Sequence, residues 1–235
     1  MNLDDVMTTF FRNQAIPIYG FADACGFSNA LPGLHPKELM PTCESVIVFG
    51  QPYIAHPFQI EPETHIAHES WWQINQQVHN QIAAYRGELV NLLDQHGLGV
   101  FNYGSFNLTT TPAFSYREAQ AEAGVGVYGR NGVSIHPEFG CYYTVGVLLT
   151  EAELTASDRT HLDDFEPCAG CNQCAEICPV SAIDDSKPPG LGYDRELCIY
   201  FLMKKKEQYG HEVKFCSHCF RSCPWSLDKM DGVLR

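Results

Sequence analysis

Apolar residues recur along this chain in two rhythms, a helical period near 3.6 and short unbroken runs, and the two alternate. Residues 3–14 set Leu3, Val6, Met7, Phe10 and Phe11 on one side of a helix. The run Val46, Ile47, Val48, Phe49, closed by Gly50 and Pro52, has the length and β-branching of a buried strand. Over residues 64–96 the positions Trp71, Ile74, Val78, Ile82, Tyr85, Leu89 and Leu92 fall three and four apart. That spacing predicts one face of a long amphipathic helix, with Gly97 as its stop. Residues 100–103 read as a short strand and 115–123 as a short helix between Pro112 and Gly124. Residues 142–150 are the strongest strand of the second half. Helices interleaved with strands predict an α/β (α+β) body spanning residues 1–160. The polar, acidic stretch 151–167 is expected to connect it to a second module, residues 161–235.

Composition narrows the possibilities. With 235 residues, 45% of them apolar, the chain can build a proper core. The net charge of −13 sets up a field that repels a phosphate backbone, so no nucleic-acid partner is expected. Asp4 and Asp5 stand where a signal peptide needs positive charge. The apolar run at residues 145–149 is far short of the roughly 20 residues that span a bilayer. A cytoplasmic protein without a membrane partner is the expectation.

Eleven cysteines in a reducing compartment point to metal or redox chemistry rather than disulfides. Cys25, Cys43 and Cys141 are scattered, while eight crowd into residues 168–223. The first group reads Cys168-x2-Cys171-x2-Cys174-x3-Cys178-Pro179, the second Cys198-x17-Cys216-x2-Cys219-x3-Cys223-Pro224. Zinc takes four ligands, commonly as two C-x2-C pairs, and has no use for the third x2 cysteine or the x3-Cys-Pro. Three thiolates at x2 intervals suit three corners of a [4Fe–4S] cluster, and the cysteine before proline ligates the other cluster of a pair. Cys168, Cys171, Cys174 and Cys223 are therefore expected to hold one cluster, and Cys178, Cys198, Cys216 and Cys219 the second. Zinc knuckles and free buried thiols fit the count less well.

Gly124, Gly126 and Gly129 match G-x-G-x-x-G, yet a dinucleotide fold needs that motif after a strand and opening a helix. Here a helix precedes it, and Arg130, Asn131, Gly132 and Pro137 follow. The loop is read instead as bare backbone approaching a flat cofactor or partner, with His136 beside it. The helix of residues 64–96 carries His65, His68 and His79, near His56, and these read as surface histidines. Trp71 and Trp72 read chiefly as core, Tyr116 and Tyr128 as packed rings, and Cys141 as a small buried hydrophobe or a redox-active neighbour. Lys204, Lys205 and Lys206 read as a solvated helix face rather than a docking patch.

Residues 123–132 (AGVGVYGRNG) and 137–140 (PEFG) resemble the A-G-x-G-x-x-G-[KR]-N stretch of the epoxyqueuosine reductases, followed there too by a strand like residues 145–150. The cysteine groups match in order and spacing, including Cys198 and the ending Cys223-Pro224-Trp225. The segment after Cys178 is similar to that of bacterial ferredoxins, and the reductive dehalogenases share the double-cluster module more distantly. The resemblance runs through residues 110–235 and is loose before them. It implies a nitroreductase-like three-layer α/β domain followed by a ferredoxin-like module with two [4Fe–4S] clusters. In it Gly124, Gly126, Gly129, Arg130, Asn131 and His136 would bind a corrinoid (cobalamin). It further implies single electrons passed by the clusters to a corrinoid or substrate at the junction with the α/β domain. The donor would be a ferredoxin or flavodoxin. Alternatives are a tRNA epoxyqueuosine reductase, or an electron carrier that binds no corrinoid and reduces a separate corrinoid protein. The departures from the family are specific. Thr109-Thr110-Thr111-Pro112 stands where the reductases carry an Asp in D-[TS]-x-P, residues 61–72 are acidic and His-rich, and no helical repeat domain follows Arg235. A cut-down relative is expected.

Overall fold

Helix α1 (Leu3–Asn13) begins where the Asn2 side chain accepts a 2.7 Å hydrogen bond from the Asp5 amide, with Asp4 and Asp5 in the first turn and Arg12 in the last. There follow β1 (Ile18–Asp23), α2 (Pro36–Leu39), β2 (Ser45–Pro52), α3 (His65–Gln95), β3 (Val100–Asn102) and α4 (Tyr116–Glu122). The remaining elements are β4 (Val127–Tyr128), β5 (Ser134–Ile135), β6 (Tyr143–Thr150), α5 (Gln173–Glu176), α6 (Arg195–Tyr209) and α7 (His218–Arg221). The computed structural model describes residues 2–30, 32–53, 65–102, 115–209 and 216–226. His56 and the Thr109–Thr111 segment lie outside them, as do the side chains of His65, His68 and Trp71.

The chain divides into two compact units that interleave along the sequence. The first comprises Met1–Pro52, Val78–Gly126 and Tyr143–Asp164, the second Tyr53–Gln77, Val127–Tyr142 and Phe165–Arg235.

The first unit is built on an antiparallel sheet of order β1-β2-β6-β3. Phe21, Ile47 and Leu148 lie opposite one another across three strands and share a core with Met7 and Phe11 of α1 and Ile82, Leu89 and Leu93 of α3. Phe11 also stacks on Tyr19 at 4.4 Å. Gly146, paired with Phe49, leaves room for that ring and Ile82: a Cβ there would lie 2.5 Å from Phe49. Val46, Val48, Val147 and Leu149 point to the opposite face and are also buried, and α4 contacts β1, β2 and β6. Burial on both faces explains why β2 reads as a continuous apolar run rather than an alternating one.

The expected helix on residues 64–96 and the strands on 46–49 and 142–150 are present, shifted only at their ends. Strand β1 was not anticipated, because Gly20 interrupts its pattern. Its reason is tertiary: a Cβ at Gly20 would lie 2.0 Å from the carbonyl oxygen of Ala123, so glycine lets α4 close on the sheet. The acidic stretch after β6 also differs from the expected connector. Residues up to Asp164 belong to the first unit, with Ala152 and Leu154 in its core. The Leu154 amide donates to Ser45 Oγ at 3.0 Å, and the Thr155 amide to Asp4 Oδ1 at 2.9 Å. Its polar side chains are mostly exposed, while its apolar residues and backbone fasten it to the first unit.

In the second unit β4 and β5 form a two-stranded ribbon whose turn is closed by the Gly129 amide on the Val133 carbonyl at 2.7 Å. The ribbon rests on residues 183–193: the Tyr193 ring covers Gly132 and the Tyr128 side chain covers Gly190. Helices α5 and α7, which carry two of the cysteines, pack on each other.

Candidate metal centre

The loop from Cys168 is wound by short backbone bonds. The Cys171 amide donates to the Cys168 carbonyl at 3.2 Å, and Gly170 takes a left-handed φ of 66° between them. Cys174 lies on α5, and Cys178 follows that helix, its sulfur accepting from the Ala182 amide at 3.2 Å. Ser181 has φ 52°, a left-handed value for a side-chain-bearing residue, in the turn that delivers this amide. Cys198 stands on α6, Cys216 before α7 and Cys219 on it. The segment holding Cys223 is drawn to the first loop by Trp225, whose indole donates to the Pro167 carbonyl at 3.2 Å and meets the Phe165 ring edge-on at 4.8 Å.

That fastening joins distant stretches of sequence. Cys168, Cys171, Cys174 and Cys223 line one cavity together with Arg130 and Asn131. Burial, then the nearby sulfurs of Cys168, Cys223 and Cys171, pushes the Cys174 thiol up to about 11. Around Cys219 the neighbours are Cys216, Cys198, Cys174 and Cys178, and burial with their charge pushes it up to about 12. The eight cysteines thus gather in two groups of four, with Cys174 beside both. Buried thiols that raise one another's pKa need a cation to become thiolates together, and coordinated iron supplies one. Among the described residues no three His, Cys, Asp or Glu side chains converge as a single ion requires. A cubane asks for a looser set, with each thiolate on its own iron. The donor set fits that group.

Cys141, buried, adds a ninth cysteine to this neighbourhood, its sulfur 3.9 Å from that of Cys223. The hydrogen bond between them lowers the pKa of Cys223 and, with burial, raises that of Cys141. Nothing in its sequence position announces that contact.

The glycine loop is closely approached by protein at several positions. Gly124 takes φ 70° and faces Asp158 and Arg159, Gly126 lies between α4 and β4, and Gly129 is enclosed by Val133, Asn131 and Ile135. Arg130 is a clamp within the second unit. Its amide donates to Cys168 Sγ at 3.3 Å, and its guanidinium donates to the carbonyls of Cys171, Asp185 and Lys187 at 3.2, 2.8 and 3.0 Å. His136 Nδ1 accepts from the amides of Glu138 and Phe139, bracing a turn. Protein atoms thus stand close to Gly124 and Gly129, and Arg130 and His136 make bonds within the protein. The strand β4 after Gly126 likewise removes the dinucleotide reading.

The other singled-out residues have local roles. Lys204 pairs with Glu207 at 2.8 Å and lies over the Tyr200 ring, and Lys205 lies over Phe201, as on an ordinary helix surface. His79 is partly buried, which lowers its pKa with help from Arg86. Trp72 is exposed rather than core.

Four thiols about one cavity on a ferredoxin-like turn define an iron–sulfur protein, and residues 162–184 match the family model described as a 4Fe-4S binding domain. Sequence relatives carry the two names the motifs implied. Epoxyqueuosine reductase of Bacillus cereus is 30% identical over 126 residues, covering 50% of this chain and 31% of the relative. That of Francisella cf. novicida is 24% identical over 213 residues, covering 81% and 55%. Tetrachloroethene reductive dehalogenase of Desulfitobacterium hafniense is 27% identical over 122 residues, covering 45% and 21%. The chain thus spans from a fifth to just over half of the length of these relatives. Among solved structures, epoxyqueuosine reductase from Streptococcus thermophilus superposes with TM-score 0.63 at 18% identity, covering 96% of this chain and 66% of that one. A catabolic reductive dehalogenase in complex with 3-bromo-4-hydroxybenzoic acid gives 0.70 at 16%, covering 98% and 33%. The chain is therefore similar in sequence to both groups of reductases and shares their mixed α/β fold. One further neighbour, at TM-score 0.65 and 17% identity over 97% of this chain and 67% of that one, is an epoxyqueuosine reductase with a tRNA stem loop. Net charge alone is thus no support for excluding nucleic acid. No helix among the described residues is long and apolar enough to cross a membrane.

Proposed function

We propose that the chain is an iron–sulfur oxidoreductase that holds two [4Fe–4S] clusters and passes single electrons to an acceptor. The observation that carries this reading is the gathering of Cys168, Cys171, Cys174 and Cys223 around one cavity, with Cys174 also beside the second group of four. Cys168, Cys171, Cys174 and Cys223 would hold one cluster, and Cys178, Cys198, Cys216 and Cys219 the other. When bound, the clusters supply one-electron storage and transfer, at potentials set by the thiolate shell, its hydrogen bonds and its exposure to water. This chain's part is to fix the sulfurs and place amides on them. Arg130 and Ala182 donate backbone N–H groups to Cys168 and Cys178. Trp225 holds the last ligand in register.

The antiparallel sheet, buried on both faces, supports reading the first unit as a nitroreductase-like domain. The acceptor suggested by the reductive dehalogenase neighbours is a corrinoid, with a ferredoxin or flavodoxin as donor. The corrinoid would be bound at residues 124–136 (Gly124, Gly126, Gly129, Arg130, Asn131 and His136) or carried by a separate protein that this chain reduces. A second reading, reduction of an epoxyqueuosine tRNA, is favoured by the neighbour that carries a tRNA stem loop.

Anaerobic reconstitution tests the first reading. About eight irons and eight sulfides per chain are expected; four irons or fewer, or stoichiometric zinc, would overturn it. Titrating the reduced protein with cobalamin and with a tRNA stem loop at roughly 0.15 M salt separates the acceptors. An absorbance change of the cobalamin assigns a corrinoid, and submicromolar binding of the stem loop assigns the tRNA reading.

A further inference from the structure

Asn131 is 6% exposed and lines the cavity of the first four cysteines. Its Oδ1 accepts from the Val133 amide at 3.3 Å, two residues on, in the manner of an Asx turn. Turning the amide over would set two donors face to face at Val133, so this bond fixes which arm is oxygen and which is nitrogen. The nitrogen arm is then the free one. Nδ2 is buried and has no hydrogen-bond partner in the protein. A buried amide donor left unsatisfied costs about 1–3 kcal/mol, and such groups in native proteins ordinarily have a partner. The backbone on either side is pinned. Arg130 donates its amide to Cys168 Sγ, and Gly132 is covered by the Tyr193 ring. The donor is therefore held in place beside four thiols, in a cavity whose expected occupant is rich in sulfur acceptors.

We propose that Asn131 is a tuning residue of the cluster held by Cys168, Cys171, Cys174 and Cys223, its Nδ2 donating a hydrogen bond to a sulfur of that cluster. This rests on the reading of two clusters given above. Hydrogen bonds to cluster sulfurs stabilise the more negative, reduced state and raise the potential. The residue that accepts the Val133 amide thereby also makes one cluster easier to reduce than its thiolates alone would.

The test is Asn131→Ser, whose hydroxyl still accepts from the amide two residues on and which removes only the nitrogen donor. Wild type and variant are reconstituted, assayed for iron, and titrated electrochemically with EPR detection. Full iron is expected in both, with one of the two reduction waves moved to more negative potential and the other unmoved. The expected size is about a tenfold fall in the reduced-to-oxidised ratio at fixed potential, about 59 mV for one electron. Full iron with neither wave moved, or with both moved alike, overturns the proposal. Wild-type protein unable to bind two clusters overturns the underlying reading instead. Should the variant fail to take up iron, wild type carrying ¹⁵N in its asparagine side chains decides. Pulsed EPR of the reduced protein is expected to show a ¹⁵N coupling that survives Asn172→Ser, the change at the asparagine flanking Cys171. No such coupling overturns the proposal.

Discussion

Cys178→Ala and Cys168→Ala should each cost the reconstituted protein about four of its eight irons, and the two variants should lose different clusters. Cys178 follows Cys174 by one helical turn, so simple proximity in sequence would assign both to one site. The x3-Cys-Pro spacing assigns them to two. Cys174 has Cys168, Cys171 and Cys223 as its neighbours, and Cys219 has Cys216, Cys198, Cys174 and Cys178, so Cys174 stands near both sets and the variants are what separate it from Cys178. Cys223→Ala should accordingly match Cys168→Ala, although the two residues stand at opposite ends of the module. The Trp225 bond to Pro167 is what brings them together. Cys141→Ala is the internal control. Its sulfur lies 3.9 Å from Cys223 yet belongs to neither group of four, so all eight irons should remain. Iron and sulfide assays with EPR of the remaining cluster distinguish these outcomes. Identical spectra from the Cys168 and Cys178 variants would remove the crossed assignment.

The parts of this protein legible in the sequence are those whose constraint is local or strictly periodic. Chelation is local: a thiolate spacing of two and three residues is a geometric demand, and residues 162–184 match a 4Fe-4S binding domain. The α3 face is periodic, and Val78, Ile82, Tyr85 and Leu89 are buried as their spacing required. Strand β1 was illegible because its central glycine answers to Ala123, about a hundred residues away, and not to its neighbours. The stretch 151–167 reads as a linker because its charges are local, whereas Ala152 and Leu154 lie in the core and the Leu154 and Thr155 amides bond to Ser45 and Asp4. Glycine is the least specific of these signals. A run of glycines announces that something comes close to the backbone, and it carries no information on what that something is. Here it is protein. Net charge is equally blunt: a sum over the whole chain does not describe one face, and a structural neighbour holds a tRNA stem loop.

Gly132→Ala is expected to destabilise the second unit by about 2–5 kcal/mol and to lower its iron content. Two costs combine. Gly132 holds φ at 78°, where a Cβ costs about 1–2 kcal/mol. A Cβ there would also lie 2.3 Å from the Tyr193 ring, and overpacking of that kind costs about 1–3 kcal/mol. Adding Tyr193→Ala should return the packing part and leave the backbone part, so the double variant falls between wild type and the single one once the loss of the ring is allowed for by Tyr193→Ala alone. Iron follows stability here because the same turn carries the Arg130 amide that reaches Cys168 and the Asn131 side chain that lines the cavity. Urea denaturation of the reconstituted protein, with iron assayed beforehand, measures both effects. A cradle for a flat cofactor behaves in the opposite way: enlarging its glycine abolishes ligand binding and leaves stability and both clusters intact. If Gly132→Ala unfolds at the wild-type urea concentration, keeps eight irons and loses only an affinity for cobalamin, the ring of Tyr193 gives way easily and the loop serves a ligand after all. The Tyr193 ring over Gly132 and the carbonyl of Val133 against Gly129 make the first outcome the expected one.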